Sequence, residues 1–455
     1  MEDNKNVTTS YRVGEWLPSD QQVLNLLNNW LIDLVNEAAA VKKPFHPVIQ
    51  GFQKLIESDP EIYALVTMMF EQVPKKYEHS KYGKQVRDYK HFLELLNVIM
   101  TKSPTYNDTG CVGFPINAIL DWAMGTEGGF AAFLNDKLNA QFKKMLNHWR
   151  TFLKSKDSKY VLSTDNNPIK GVVPSRTEQY YWLSDTAIVG MMNMMRQGKP
   201  PLKPDEHEKA RKEFIETFEC DPEKSHYGFT SWDDFFTRKF REGFRPIAGE
   251  GDDSIIVNAC ESAPYRIAQG DEVKLRNKFW IKGQPYSLYH MLDGDESVEE
   301  FVGGSVYQAF LSAKSYHRWN SPVSGTITKT KIIDGTYYSE TPSVGFDPAA
   351  PNDSQGYISE VATRALIFIK ADNPKIGLMC IVFIGMAEVS SCDIQVYEGQ
   401  NVKKGQPIGT FHFGGSTHCL LFRKGVKVKF ELPEDNPPGL NSYNLFVSSK
   451  LAVVE

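Results

Sequence analysis

The sequence predicts an α+β protein in which a helical amino-terminal region is followed by a β-rich domain. From about residue 20 to about residue 196, apolar residues recur at three- and four-residue spacing, as on one face of an α-helix. After Arg245-Pro246 the chain has short runs of branched and aromatic residues between Gly, Pro and Asp breaks, as in a domain of short strands. A length of 455 residues agrees with two regions rather than one.

Composition and charge exclude several classes of protein. The formal net charge is −5, so nothing resembles the basic footprint of a nucleic-acid-binding protein. The start of the chain lacks an apolar signal core, and no apolar run reaches the ~20 residues that span a bilayer. Six cysteines without a C-x-x-C pair and ten histidines without zinc-site spacing predict neither disulfides nor a metal. We therefore expect a soluble, cytoplasmic protein that has neither nucleic-acid nor membrane partners.

The first region, residues 1–220, is predicted to be a helical bundle that packs its own core. One stripe consists of Leu24, Leu27, Trp30, Leu31 and Leu34, and a second consists of Phe142, Met145, Leu146, Trp149, Phe152 and Leu153. The prolines in Ser58-Asp-Pro60 and Lys102-Ser-Pro104 mark positions where helices start or stop. Such stripes indicate core packing far more often than a cofactor site.

The second region, residues 221–455, is predicted to begin with a short helical segment and to continue as strands. A polar connector at 197–204 precedes it, and the short helix lies within 232–240. Predicted strands cover 254–257, 365–369, 379–384 and 426–430. Two further segments, 321–328 and 396–410, have glycines at tight turns and resemble the β-sandwich of lipoyl and biotinyl carriers. No lysine stands in a carrier context there, which disfavours a swinging-arm carrier.

Directly after the second of these segments comes Phe411-His-Phe-Gly-Gly-Ser-Thr-His418. A Gly-Gly-Ser triplet alone is weak evidence, because most such triplets are flexible turns. This one is not a phosphate-binding loop, since the Gly-x-x-x-x-Gly-Lys-Ser/Thr pattern is absent. It is not a G-x-S-x-G nucleophile elbow either, because His418 stands where the second glycine belongs. Its place near the end of a β domain, after a carrier-like segment, is more distinctive.

An ordered set of motifs resembles the phosphatidylserine decarboxylase family. The match extends over about 231–421, and the helical first half looks like the extension of the soluble fungal tryptophan decarboxylase branch. The matching stretches are 235–241 with Arg245-Pro-Ile247, Tyr316-His-Arg318 with Pro322 and Gly325, 383–389, and 405–417. The set in this order is much more specific than any one member.

The resemblance implies a precursor that cleaves itself between Gly415 and Ser416. Ser416 Oγ would attack the Gly415 carbonyl, and Gly414 and Gly415 permit the strained backbone that this attack requires. Thr417 is a candidate donor to the developing oxyanion. Ser416 would become a covalent pyruvoyl group, the electron sink for decarboxylating a free amino acid. The resemblance implies that this amino acid is aromatic and tryptophan-like. The two cleavage fragments would remain partners.

The family's base is the second histidine of Tyr-His-Arg-x-His, and this chain departs from that pattern. Here Asn320 holds that position, and an amide accepts no proton at neutral pH. Glu261 stands where the family has an aspartate, and His317 matches the histidine of substrate decarboxylation. We therefore expect the precursor to dominate. The alternatives are slow maturation with His418 or His412 as base, an unprocessed relative with a non-decarboxylase or binding role, or an introduced Asn320. For Glu388, orienting the cleavage segment and a surface salt bridge are equally good interpretations.

Overall fold

The structure is a computed structural model that describes residues 20–73, 86–106, 115–170, 178–276, 287–312, 314–341, 354–388, 392–439 and 441–455, with side chains from residue 29 onward. Its α+β architecture confirms the predicted fold class, with helices first and antiparallel sheets after them. The first two residues of the first predicted stripe, Leu24 and Leu27, lie outside the described side chains.

The helices of the first region are α1 Asp20–Ala40, α2 Pro47–Ser58, α3 Pro60–Glu71, α4 Tyr89–Ile99, α5 Pro115–Met124, α6 Glu127–Phe133, α7 Asp136–Leu153, α8 Asp185–Asn193 and α9 His207–Thr217. Short helices α10 Trp232–Phe236, α11 Leu288–Met291, α12 Val298–Phe301 and α13 Gln355–Val361 follow among the strands. Single 3₁₀ turns cover Lys156–Val161, Pro204–Glu206, Ser225–Gly228 and Gly270–Glu272.

Helix ends follow local sequence signals. The predicted break at Ser58-Asp-Pro60 is the boundary between α2 and α3, where Asp59 Oδ1 accepts hydrogen bonds from the backbone N–H groups of Glu61 and Ile62 at 3.1 and 3.3 Å. Pro60 occupies the first turn, where its missing N–H costs nothing. The second predicted stripe lies on α7, whose Phe142, Met145, Leu146, Trp149 and Leu153 are buried.

The strands are β1 Ile255–Val257, β2 Ala263–Gln269, β3 Ser305–Leu311, β4 Arg318–Asn320, β5 Gly325–Ile333, β6 Arg364–Ala371, β7 Leu378–Met386, β8 Cys392–Ile394, β9 Asn401–Val402, β10 Pro407–Phe411, β11 Gly415–Phe422, β12 Val428–Phe430 and β13 Lys450–Val454. Seven of them form one sheet in the order β2-β3-β11-β7-β6-β5-β9. Two three-stranded sheets, β1-β13-β12 and β4-β10-β8, complete the described part of the β region. All four strands predicted from sequence are present.

The carrier-like segments pair with each other rather than within themselves. Segment 396–410 folds back on the strand before it, since β8 and β10 pair in antiparallel register, while β9 between them pairs with β5 and β10 also pairs with β4. The tight turns predicted from its glycines do occur, since Gly399 and Gly405 have φ of 86° and 79°. The strands pair across the sandwich because each has an apolar face to bury against the other segment.

The large sheet separates two hydrophobic cores. Side chains of β11 alternate between them: Cys419 and Leu421 belong to the core shared with the helices, and Leu420 and Phe422 to the core shared with the small sheets. The first core contains α2 and α7 residues together with strand residues. The helical region therefore packs directly on the sheet and does not bury its apolar stripes only within itself.

One end of the large sheet collects the segments of interest. β2 begins there at Ala263, opposite Phe310 near the end of β3, and β11 begins there with Gly415 opposite Met386, the last residue of β7. Because neighbouring strands are antiparallel, the residues that precede β2 and β11 and those that follow β3 and β7 lie at the same end of the sheet. No helix in the described part of the chain is long and apolar enough to cross a membrane.

Candidate active site

Ser416 is the second residue of β11, in the middle of the large sheet. It lies opposite Leu311 on β3 and Gly385 on β7, and its side chain is fully buried. Its Oγ makes no hydrogen bond to any described residue. A buried hydroxyl without a partner is uncommon, because an unmade hydrogen bond costs about 1–3 kcal/mol. The hydroxyl is therefore free to act on a neighbouring group.

The chain enters β11 through Gly414, whose φ of 139° lies in the left-handed half of the Ramachandran map. A side chain is strained at such a φ, so glycine is the residue that suits this position. The glycine allows the chain to turn sharply from β10 into β11, which belong to different sheets. Gly415, whose carbonyl precedes the Ser416 nitrogen, follows directly and is the first residue of β11.

Thr417 and Ser416 face opposite sides of the sheet because strand side chains alternate. Thr417 Oγ1 donates to the Ala309 carbonyl at 2.9 Å and accepts from Gln308 Nε2 at 3.3 Å. Its hydrogen is thus already engaged in this conformation. The oxyanion role expected for Thr417 stays a prediction, and it would require this hydrogen bond to be exchanged.

His418 shares the face of Ser416 and lies between Tyr307 and Phe383, with ring centroids 6.0 and 6.3 Å away. Its side chain is fully buried, and burial lowers the pKa of its imidazole to about 3. A base with so low a pKa has little affinity for the proton of a serine hydroxyl. His418 is thus a poor candidate for the base that Asn320 cannot supply.

His317 lies in the connection between β3 and β4 and is fully buried. Its ring stacks on Phe236 of α10, with centroids 4.1 Å apart and an interplanar angle of 23°. The His317 carbonyl accepts hydrogen bonds from the Phe411 N–H at 2.9 Å and from Thr410 Oγ1 at 3.1 Å. These contacts hold His317 against β10, the strand that leads into the Gly-Gly-Ser segment.

Glu261 lies in the loop between β1 and β2 and is fully buried, and both of its carboxylate oxygens accept hydrogen bonds. Arg245 Nη2 is 2.5 Å from its Oε1, and the Val447 N–H donates to its Oε2 at 2.8 Å. The Arg245 guanidinium also stacks on Phe446, 3.8 Å from the ring centroid. Paired burial of this kind keeps a carboxylate charged inside a protein.

Asn320, at the end of β4, approaches the same turn as Glu261. Its Nδ2 donates to the Gly405 carbonyl at 2.9 Å and lies 3.5 Å from Ser448 Oγ, while its buried Oδ1 accepts no hydrogen bond from a described residue. Ser448 is the neighbour of the Glu261 partner Val447. The structure thus brings Asn320 and Glu261 to one turn, although no hydrogen bond joins their side chains in the described part of the chain.

Glu388 is not a surface residue, and the salt-bridge interpretation of it is wrong. It follows β7 and is buried, with Oε1 accepting from the N–H groups of Ile116 and Asn117 at 2.8 and 3.0 Å. The carboxylate thus caps the amino terminus of α5 from another part of the chain. Burial raises the pKa of Glu388 to about 7, although these backbone hydrogen bonds oppose the rise.

His412 forms a carboxylate–imidazole pair with Asp233. His412 Nδ1 is 2.8 Å from Asp233 Oδ1, and both residues are more than nine-tenths buried. Its other ring nitrogen, Nε2, lies 3.6 Å from Asp393 Oδ2 and makes no hydrogen bond to a described residue. Sequence reasoning named His412 but missed Asp233, because 179 positions separate the two and no local signal joins them.

A small cavity of about 10 Å³ adjoins this pair, roughly the room that one water molecule requires. It lies between α7, α10 and the residues just before the Gly-Gly-Ser segment. Its lining consists of Leu146, Trp149, Arg150, Leu153, Asp233, Glu388, His412 and Phe413. The helical region thus supplies one wall of a small cavity next to the Gly-Gly-Ser segment.

Comparison with known proteins identifies the family of this chain. Two family models, both described as phosphatidylserine decarboxylase, match residues 46–191 and 232–437. The chain belongs to the phosphatidylserine decarboxylase family, and its relatives are decarboxylases.

Similarity to individual relatives extends through both regions. The chain is 37% identical to an L-tryptophan decarboxylase of Psilocybe cubensis over 84% of this chain and 81% of the relative. It is 36% identical to an L-tryptophan decarboxylase of Psilocybe cyanescens over 92% and 90%. It is 31% identical to phosphatidylserine decarboxylase proenzyme 3 of Schizosaccharomyces pombe over 44% of this chain and 19% of that protein.

Proposed function

We propose that this protein is a pyruvoyl-dependent decarboxylase of a free L-amino acid, aromatic and tryptophan-like, which matures by self-cleavage between Gly415 and Ser416. The observation that carries the proposal is the state of Ser416. Its buried Oγ has no hydrogen-bond partner among the described residues, and the chain enters its strand through Gly414, whose φ of 139° suits only glycine. The printed names of the relatives support the rest: L-tryptophan decarboxylases match most of the chain, and a proenzyme matches the β region.

The residues around Ser416 fit a pyruvoyl group made from this serine. Such a group would take the place of a serine that has no side-chain hydrogen bond to a described residue to lose. In the precursor its chain neighbours are Gly415 and Thr417, and Gly414 lies one residue further back. When present, it supplies a carbonyl that accepts the electrons released as carbon dioxide leaves. His317, held by its stack on Phe236, is proposed to return a proton to the substrate carbon.

The proposed substrate is a free amino acid because two relatives that match most of this chain are named L-tryptophan decarboxylases. Residues 1–220 and 221–455 are proposed as the helical extension and the catalytic domain, and the cytoplasm is the proposed location. After cleavage the two fragments would stay together, since β11 is paired on both sides by strands of the larger fragment.

The test combines the mass of the purified chain with a product assay. Maturation predicts fragments of residues 1–415 and 416–455, the second beginning with pyruvoyl instead of serine. Incubation of the processed protein with L-tryptophan predicts release of carbon dioxide and tryptamine. A processed chain that releases carbon dioxide from none of the aromatic amino acids contradicts the proposed activity.

Asn320 favours a second candidate, a relative that keeps the fold and never cleaves. Its amide is engaged with the Gly405 carbonyl and cannot serve as a base. This candidate predicts that the chain carrying Asn320 stays intact after prolonged incubation. Cleavage of that chain would rule the candidate out.

A further inference from the structure

Self-cleavage requires a group that accepts the Ser416 hydroxyl proton, and the family position for this group holds an amide. The described part of the chain places three histidines near the proposed cleavage segment, and they differ in their surroundings. His418 is buried against aromatic rings, and burial lowers the pKa of its imidazole to about 3. His317 stacks on Phe236, and the proposed function already assigns it to the substrate.

His412 differs from both because a carboxylate orients it. With Nδ1 held 2.8 Å from Asp233 Oδ1, the neutral ring carries its hydrogen on Nδ1 and presents a lone pair at Nε2. This is the arrangement in which an acidic residue selects the tautomer of a catalytic base. Asp393, 3.6 Å from Nε2, adds a second carboxylate that stabilises the imidazolium formed on proton uptake.

Helix α10 places this pair next to His317. Asp233 and Phe236 are three positions apart on α10, so their side chains lie on the same face of the helix. Asp233 contacts His412, and Phe236 stacks on His317 and also packs against Phe413, 5.5 Å away. The two histidines are therefore neighbours across one helical turn, beside the residues that lead into Gly414.

We propose that His412, oriented by Asp233, is the general base for self-cleavage of this chain. It would take over the role of the family's base histidine, whose position is occupied here by Asn320. The inference rests on the proposed self-cleavage at Gly415-Ser416. No hydrogen bond joins His412 Nε2 to Ser416 Oγ in this conformation. Catalytic hydrogen bonds are often long before reaction, and the turn at Gly414 is the part of the chain that must move.

The steps balance with water as the only co-reactant. His412 Nε2 takes the Ser416 hydroxyl proton while Oγ bonds to the Gly415 carbonyl carbon, and the peptide C–N bond breaks as the imidazolium returns the proton to nitrogen. This leaves an ester. Loss of the Ser416 α-proton then expels the Gly415 carboxylate and forms dehydroalanine. Its imine tautomer takes up water, releases ammonia and leaves the pyruvoyl group.

The test follows cleavage of purified full-length precursor over time on denaturing gels and by intact mass. We expect slow cleavage of the wild type and a loss of roughly 10²–10⁴-fold in His412→Gln, the usual contribution of a general base. Asn320→His with His412→Gln should cleave at the rate of Asn320→His alone, because the family base is restored. His290→Gln, which removes another histidine near a carboxylate, should leave the rate unchanged, since His290 lies 3.9 Å from Glu360 at a different site.

Asp233 is a positioning residue in this proposal, because it acts through His412. Asp233→Asn should slow cleavage in the wild-type background and have no effect in the Asn320→His background. A merely structural role would slow both backgrounds alike, so this difference distinguishes positioning from folding.

The outcomes separate the inference from the proposed function. Wild-type cleavage with an unchanged rate in His412→Gln overturns the inference and leaves the proposed function standing. If the wild type never cleaves while Asn320→His does, the inference is overturned, and the non-cleaving candidate replaces the proposed function for the chain that carries Asn320. If neither the wild type nor Asn320→His cleaves, the proposed function fails as well.

Discussion

Two clusters near one end of the large sheet each contain a buried carboxylate. They differ in the group with which that carboxylate pairs. In the first, Glu261 is saturated by Arg245 and the Val447 N–H, and the nearby Asn320 has only an amide to offer. In the second, Asp233 holds the imidazole of His412. A carboxylate paired with a guanidinium stabilises structure, whereas one paired with an imidazole also sets up proton transfer. Of these two clusters, the second is therefore the one with an imidazole that can take up a proton.

The largest effect is expected from Ser416→Ala, which removes the attacking oxygen that either cluster would activate. The chain should remain full length and inactive, as measured by intact mass and carbon dioxide release. Ser449→Ala, in the turn before β13, serves as the matched control and should be processed like the wild type. Cleavage of Ser416→Ala at the same bond would show that neither cluster acts through Ser416.

His317→Ala tests whether the second cluster works separately from the decarboxylation residue. Decarboxylation per pyruvoyl group should fall by roughly 10²–10⁴-fold because the proton donor is lost, whereas the extent of cleavage should stay unchanged. Pyruvoyl content is measured by mass and the product rate by chromatography. Loss of cleavage together with activity would mean that His317, and not His412, serves maturation.

Asn320→His tests the first cluster directly. Restoring an imidazole there should accelerate cleavage by roughly 10²–10⁴-fold, and Glu261 should become necessary as the group that orients it. Glu261→Gln should therefore abolish the gain in the Asn320→His background. The measurement is the cleavage rate, with thermal melting as a check that the Arg245 pair can be weakened without unfolding. If Asn320→His cleaves no faster than the wild type, the missing histidine alone does not explain why the first cluster fails to act as a base.

The smallest effect is a pH dependence of stability at Glu388, which borders the second cluster. Its folded pKa is raised from the ordinary 4.5 to about 7, so the folded state binds the proton more tightly than the unfolded state. The stability it contributes is present below pH 4.5 and is lost as pH rises through about 7, by up to ~3 kcal/mol.

Glu388→Gln should remove this dependence, so its melting temperature should rise relative to wild type between pH 5 and pH 8. Glu360→Gln is a matched control, since burial also raises the pKa of Glu360 to about 7 at a site in α13. Both variants should change the pH profile, but only Glu388→Gln should make the start of α5 more sensitive to protease. A pH profile unchanged in Glu388→Gln would contradict the buried carboxyl described for this position.

Much of the fold was predictable because it depends on local patterns. The stripe on α7 follows from helical periodicity, and the break at Asp59 follows from the adjacent proline. Strands β6 and β7 follow from runs of branched and aromatic residues between turn residues. The pairing of β9 with β5 and of β10 with β4 was not predictable, because these partner strands lie far from 396–410 in the chain. Strand pairing depends on which apolar faces meet, and that is decided over the whole chain.

By itself, the sequence determined the order of helices and strands, the Gly-Gly-Ser segment, and the replacement of a histidine by Asn320. The reason is that residue type and spacing alone express these features. Only the tertiary structure decided that Asp233 reaches His412, that Glu388 caps α5, and that His418 is too deeply buried to be a good base. Hydrogen bonding and desolvation depend on neighbours far away in the chain, and these set the chemistry of each titratable group.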